Sequence, residues 1–181
     1  MGQILSEDEL IIRLGPENRN GRRVVFTNGC FDIVHPGHLR SLEQARALGD
    51  CLVVGLNSDA SVRGLKGPAR PVLPEADRAA ILASLAAVDY VVLFDRPTPR
   101  ELLARLRPDI LVKGADWNIE SIAGREEVEA GGGRVISVAL DPGYSTTNLI
   151  DELRRRALLG KSSELKNPAE IGKPTEPGSS G

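Results

Sequence analysis

The sequence predicts an α/β fold: a doubly wound parallel sheet of five strands with helices on both faces. Three observations point to it. Short β-branched runs recur along the chain, as in Arg23-Val-Val-Phe-Thr27, Cys51-Leu-Val-Val-Gly-Leu56 and Tyr90-Val-Val-Leu-Phe94. Each has a continuous rather than alternating apolar middle, as strands covered on both faces do. Between them lie stretches with helical spacing, and an alternation of strand and helix builds a parallel sheet with right-handed crossovers.

The elements follow in order. Ser6 can cap a helix that runs to Leu14, with Glu9 completing a capping box; Gly15 and Pro16 stop it. Glu17 to Gly21 reads as a loop. After the strand at Arg23–Thr27, a helix over Gly37–Leu48 carries Leu39, Leu42, Ala45 and Leu48 on one face and ends at Gly49. Strand Cys51–Leu56 follows, then an alanine-rich helix over Glu75–Val88 begun by Pro74. Strand Tyr90–Phe94, helix Pro99–Leu106, strand Ile110–Lys113, a short helix at Glu126–Ala130, strand Val135–Ala139 and a last helix over Asn148–Leu159 complete the set. From this pattern, residues 1–21 form an N-terminal helix and loop and 22–160 the main domain. Residues 161–181 form a polar tail, rich in Pro and Gly, that cannot bury enough apolar surface to order itself.

Composition excludes several classes. The 181 residues carry a formal net charge of −2, with 41% hydrophobic and 27% charged residues. That is an ordinary globular balance without the basic excess that grips nucleic acid. No apolar run is long enough to span a bilayer, and the start of the chain lacks the pattern of a signal peptide, so the expected compartment is the cytoplasm. The two cysteines, Cys30 and Cys51, read as reduced thiols packed as small hydrophobes. With two histidines besides, they do not form a zinc site, and no metal ligands are expected from the protein.

In open α/β sheets ligands bind beyond the carboxyl ends of the strands, here just after Phe26, Leu56, Phe94, Val112 and Ala139. The most informative segment is Thr27-Asn-Gly-Cys-Phe-Asp-Ile-Val-His-Pro-Gly-His-Leu39, which joins the first strand of the main domain to its helix. Both histidines of the chain are in it, as His35-Pro-Gly-His38. Gly37 lets a phosphate approach the backbone, and the helix N-terminus supplies N–H groups and a favourable dipole. Two imidazoles there can donate to phosphate oxygens as pyrophosphate leaves. The alternative is that they merely cap the helix or line a turn.

His-x-Gly-His after the first strand resembles the signature of the cytidylyltransferase-like nucleotidyltransferases, whose fold is Rossmann-like. The resemblance continues through Gly55-Leu-Asn-Ser-Asp59, Leu65-Lys-Gly67, Arg70-Pro71, Asp77-Arg78, Val88-Asp-Tyr-Val91, Pro108-Asp-Ile-Leu-Val-Lys-Gly114 and Ser145-Thr-Thr147, from about Arg22 to Leu153. Within the family the chain is most similar to the adenylyltransferases that form ADP-heptose from a heptose 1-phosphate for lipopolysaccharide.

The resemblance implies roles. His35 and His38, with Lys66, are the catalytic set. Thr27, Asn28, Gly29, Cys30, Phe31, Asp32, Gly37, Asn57, Asp59, Lys113, Gly114, Ser145, Thr146 and Thr147 contact the nucleotide. Arg63, Arg70, Arg78, Asp116 and Trp117 meet the acceptor. Asp32 has an equal alternative, fixing the turn; Lys66 could be a surface lysine, Arg78 a paired arginine and Trp117 an ordinary half-buried ring. Ser145-Thr-Thr147 can cap the last helix as well as bind phosphate. One departure from some family members is the lack of an arginine in Leu140-Asp-Pro-Gly-Tyr144.

ATP is the expected donor, with Mg2+ bound to its triphosphate, and AMP transfer to D-glycero-β-D-manno-heptose 1-phosphate the expected reaction. The alternative is a CTP-dependent enzyme acting on glycerol 3-phosphate or ethanolamine phosphate; a nucleotide-binding module without catalysis is the third. No Ser/His/Asp triad is evident. A homo-oligomer is expected, with a separate heptose kinase supplying the acceptor.

Overall fold

Successive residues of each strand point to opposite faces, and here both faces are packed. Val25, Leu52, Val54 and Val91 belong to one buried cluster, with Leu42 and Leu82 from the helices. Val24, Phe26, Val53 and Val92 belong to the other, with Leu10, Leu102, Leu103 and Leu106. The computed structural model describes residues 1–114, 119–139 and 146–164.

The elements are β1 (Gln3–Leu5), α1 (Glu7–Leu14), β2 (Val24–Gly29), α2 (Pro36–Arg46), β3 (Cys51–Asn57), α3 (Asp59–Lys66), α4 (Glu75–Ser84), β4 (Tyr90–Phe94), α5 (Arg100–Leu106), β5 (Ile110–Gly114), α6 (Arg125–Ala130), β6 (Arg134–Val138) and α7 (Thr146–Glu164). The sheet order is β1-β4-β3-β2-β5-β6, and every pairing is parallel. From β2 the chain winds outward first through β3 and β4, then through β5 and β6. The switch point is therefore between β2 and β5, where such sheets bind ligands.

Three features differ from the sequence expectation. The sheet has six strands rather than five. Gln3–Leu5 is too short to show a pattern of its own, yet it pairs with β4, Gln3 opposite Tyr90. Residues 1–21 are accordingly built into the sheet domain. The predicted capping box is present, with Ser6 accepting from the Glu9 N–H. Leu10 and Leu14 of α1 are wholly buried, each worth about 2 kcal/mol of burial.

The second difference is α3, which occupies a stretch without a predicted element. Ser58 caps it by accepting the Ser61 N–H at 3.0 Å, while Arg63 and Lys66 sit in its last turn, where cations suit the dipole. The third is α7, which runs on to Glu164, past the expected start of the tail; residues 165–181 lie outside the described residues.

Met1–Thr146 forms one compact unit and the chain from Thr147 a second. No helix among the described residues is long and apolar enough to cross a membrane. Both cysteines are free. Burial raises the Cys51 thiol to about 11, in keeping with an inert core thiol.

Candidate active site

β2 ends at Gly29, and the chain turns sharply before entering α2. Phe31 adopts a left-handed backbone, φ +44°, uncommon for a residue with a side chain. The turn buries its ring against His38, centroid to centroid 5.1 Å at 54°. His35 is the N-cap of α2, and its Nδ1 accepts the His38 backbone N–H at 3.3 Å. The two imidazoles stack, 3.8 Å apart and 18° from parallel. Pro36 occupies the first helical turn, where its missing N–H costs nothing.

This arrangement sets the chemistry of both rings. Burial lowers the His35 pKa, partly offset by its hydrogen bond to backbone. Burial, with the adjacent His35, lowers that of His38 to about 4. Both rings are neutral at pH 7. Because His35 Nδ1 accepts, its single proton is on Nε2, which acts as the donor nitrogen. His38 Nδ1 is buried without a partner among the described residues, as is Asn28 Oδ1 at the end of β2. Unpaired buried polar atoms are costly, which makes the end of β2 and the start of α2 the candidate place for a ligand.

Across the switch point, β2 and β5 are tied by side chains. Thr27 Oγ1 donates to the Val112 carbonyl at 3.1 Å, and Lys113 Nζ to the Asn28 carbonyl at 3.2 Å. These bonds hold Gly29 and Gly114, the last residues of the two strands, at one edge. Thr146 Oγ1 donates to the Ile33 carbonyl at 3.4 Å, bringing the first residue of α7 to the same turn.

Asp32 and Arg78 act on the scaffold of the site. Asp32 is 1% exposed. Its carboxylate accepts from the Val72 N–H at 2.6 Å, the Leu73 N–H at 3.1 Å and Arg70 Nε at 2.5 Å. Of its two expected roles, the geometry supports turn fixation, and the segment fixed is Arg70–Leu73. Arg78 is wholly buried. It donates to the carbonyls of Leu73, Cys30 and Asn57 at 3.0, 2.6 and 2.9 Å, and to Asp59 Oδ1 at 2.7 Å. This corrects the acceptor role: a guanidinium closed off from solvent and bonded on every nitrogen joins the ends of β2 and β3 to the start of α4. Asn57 is also turned inward, donating to Ser61 Oγ at 2.9 Å.

A family model described as cytidylyltransferase-like matches residues 26–152, from β2 into α7. The chain belongs to the cytidylyltransferase-like family. It is a nucleotidyltransferase fold by descent, and relatives in the family are close. It is 57% identical over 140 residues to the bifunctional protein HldE of Syntrophotalea carbinolica, covering 77% of this chain and 29% of that protein. It is 60% identical over 136 residues to HldE of Acidiphilium cryptum, covering 75% and 28%. The chain thus spans less than a third of these relatives. Among solved structures, a lipopolysaccharide core biosynthesis protein of Thermoplasma volcanium superposes with a TM-score of 0.56 at 28% identity, over 67% of this chain and 98% of that one. Pantothenate synthetase of Thermus thermophilus shares the fold, with a TM-score of 0.56 at 18% identity, over 85% and 70%.

In this member of the family Lys66 is exposed on the last turn of α3 rather than in a loop. It lies close enough to Cys30 to act on that thiol electrostatically, as do Arg70 and Arg78; burial dominates and raises the thiol pKa. Arg63, one turn earlier, faces a groove of about 670 Å3 at the carboxyl ends of β3 and β4. Glu7, Ser58, Glu75, Asp95 and Arg96 also line it. Of these five only Ser58 falls in a family motif, Gly55–Asp59; the rule of strand ends does point to Asp95 and Arg96, which directly follow β4. A smaller cavity of about 190 Å3 lies at the opposite sheet edge, beside Arg23 and Arg134. Thr147 is exposed in the first turn of α7. Asp116, Trp117 and Ser145 lie outside the described residues. Among those described, no group of three or more His, Cys, Asp or Glu could hold a metal ion.

Proposed function

We propose that the protein transfers AMP from ATP to D-glycero-β-D-manno-heptose 1-phosphate, giving ADP-heptose and pyrophosphate for lipopolysaccharide core synthesis. The observation that carries the reaction class is the stacked, neutral His35–His38 pair at the N-terminus of α2, beside the switch point. The choice of acceptor is supported by the likeness to HldE proteins and to a lipopolysaccharide core biosynthesis protein.

An oxygen of the acceptor's phosphate attacks the α-phosphorus in line. A new P–O bond forms as the bond to the β-phosphate oxygen breaks, and pyrophosphate departs with its electron pair. Such chemistry requires positioning and charge stabilisation rather than a protein nucleophile. The N–H groups of the turn from Thr27 to Phe31 and of the start of α2 cradle the phosphates. His35 Nε2–H and His38 donate to the non-bridging oxygens, most strongly as charge develops on them. Lys66 and Arg70 neutralise phosphate at the acceptor side, and Thr146 flanks the triphosphate. Mg2+ bound with the ATP would offset the charge of its phosphates. The acceptor's phosphate comes from a kinase acting upstream at the anomeric carbon of the sugar.

Pyrophosphate release, measured with ATP or CTP against heptose 1-phosphate, glycerol 3-phosphate or ethanolamine phosphate, tests the proposal. Release confined to ATP with heptose 1-phosphate is the expected result. Release with CTP and an alcohol phosphate would replace it. Replacing His35 or His38 by Ala is expected to lower kcat by roughly 100- to 1,000-fold.

A further inference from the structure

The cavity of about 190 Å3 lies at the amino ends of the strands, on the edge of the sheet away from the histidines. Arg23 directly precedes β2, Asp109 directly precedes β5, and Arg134 opens β6. Strand pairing brings them together. The Asp109 N–H donates to the Val24 carbonyl at 2.9 Å, and the Arg134 N–H to the Asp109 carbonyl at 3.0 Å. The six residues of β2 separate this edge from the catalytic turn, about 20 Å at the rise of a strand.

Two of the lining side chains are guanidiniums. Arg23 and Arg134 are exposed, and neither side chain has a hydrogen-bond or ion-pair partner among the described residues. Gly132, at φ +84°, leaves open space where a side chain would begin, so nothing fills the cavity between them. A third arginine borders the same loop: a Cβ on Gly131 would come within 3.1 Å of Arg107 Cβ. Arg107 ends α5 in a left-handed backbone, φ +46°, which glycine or asparagine adopts at lower cost. Its carbonyl is held by Arg19 Nη1 at 2.9 Å.

Asp109 adds selectivity to this positive charge. Its Oδ2 accepts the Val24 N–H at 2.7 Å and Arg19 Nη1 at 3.0 Å. Its Oδ1 has no partner among the described residues, and a carboxylate oxygen can only accept. The cavity therefore offers forked donors for an anion's oxygens and one acceptor for a proton. Hydrogen phosphate matches both: its bare oxygens take the guanidiniums, and its P–OH donates to Asp109. Sulfate has the same shape and charge but no proton at neutral pH, so it meets the carboxylate oxygen against oxygen. The volume is below the roughly 300–1,000 Å3 of sites for drug-sized ligands, which suits a small ion rather than a nucleotide.

We propose that this cavity is a second anion site, separate from the catalytic turn, that binds inorganic hydrogen phosphate through Arg23 and Arg134 and selects it over sulfate through Asp109. The site is independent of which acceptor the enzyme uses.

Titrations at pH 7 and constant ionic strength, followed by the backbone amides of Gly132, Gly133 and Arg134 in 15N-labelled protein, test it. These amides read the cavity apart from the phosphate-binding turn, which is followed at Gly37 and His38. Saturable shifts with sodium phosphate are expected, with sulfate at least about tenfold weaker. In Arg23→Gln/Arg134→Gln the phosphate Kd at the cavity is expected to rise at least about tenfold, while the response at Gly37 and His38 is unchanged. Asp109→Asn is expected to bring phosphate and sulfate to within about threefold of each other, with thermal melts confirming that each variant is folded. The comparison of phosphate with sulfate on wild type needs no variant. Shifts that fail to saturate, equal responses to the two ions in wild type, or an unmoved Kd in the double variant would each overturn the site. Ribose 5-phosphate saturating these amides at lower concentration than phosphate would overturn the choice of the inorganic ion in favour of a phosphorylated metabolite.

Discussion

Replacing Arg78 by Met removes a charge from the interior while keeping most of the side-chain volume. Four hydrogen bonds go with it: those to the carbonyls of Leu73, Cys30 and Asn57, and the ion pair with Asp59. A buried carbonyl left without a partner costs about 1–3 kcal/mol, though carbonyls often keep a second bond. Loss of one partner of a buried ion pair costs about 3–5 kcal/mol. Asp59 is 26% exposed on its side chain, so water can reach it and the lower end applies. Apolar packing by Met returns part of the loss. The expected net destabilisation is about 3–5 kcal/mol, a large share of the roughly 5–15 kcal/mol available to a domain. Urea unfolding followed by far-UV circular dichroism reads it as a lower midpoint with an unchanged slope. Arg78→Lys is expected to recover little, since one ammonium cannot span four acceptors on separate segments. A loss below about 1 kcal/mol for Arg78→Met would refute the clamp, because it would place this side chain in the range of ordinary surface substitutions.

Two further outcomes are expected. His38 is neutral in the folded protein down to about pH 4, against 6.5 for an ordinary imidazole. Between those values the unfolded chain binds the extra proton, so this residue's contribution makes stability rise with pH across that window and fall as pH drops through it. An NMR titration of the His38 ring should find its midpoint well below 6, and a midpoint at 6.5 would contradict the buried, stacked ring. Asp32→Asn keeps the shape but weakens the hold on Arg70, Val72 and Leu73. The expected loss is about 2–4 kcal/mol, with faster amide exchange at Val72 and Leu73; unchanged exchange there would sink the positioning role.

Much of this molecule is legible in its residues because the signals are local. The β-branched runs that became β2 to β6 are dictated by burial on both faces, and a parallel sheet follows from their alternation with helices. The His35-Pro-Gly-His38 turn is legible too, since Pro, Gly and two imidazoles within four positions carry their own geometry. Other features depend on partners distant in sequence. β1 is three residues long and exists because β4 presents an open edge some 85 residues on. The glycines of Gly64-Leu-Lys-Gly67 suggest a loop, but the Ser58 cap and the burial of Val62 keep α3 helical. Arg78 and Asp32 have the composition of ligand-binding residues, and whether a charge meets solvent or backbone is settled by what folds over it. The same holds for the groove, whose Glu7, Glu75 and Asp95 come from α1, α4 and the turn after β4 and share no motif. Sequence by itself determined the layered fold, the family and the turn that carries His35 and His38, because spacing along one strand or helix encodes them. Tertiary structure alone decided which charges are buried as scaffold and which stay open to solvent, because burial is a property of the assembled chain.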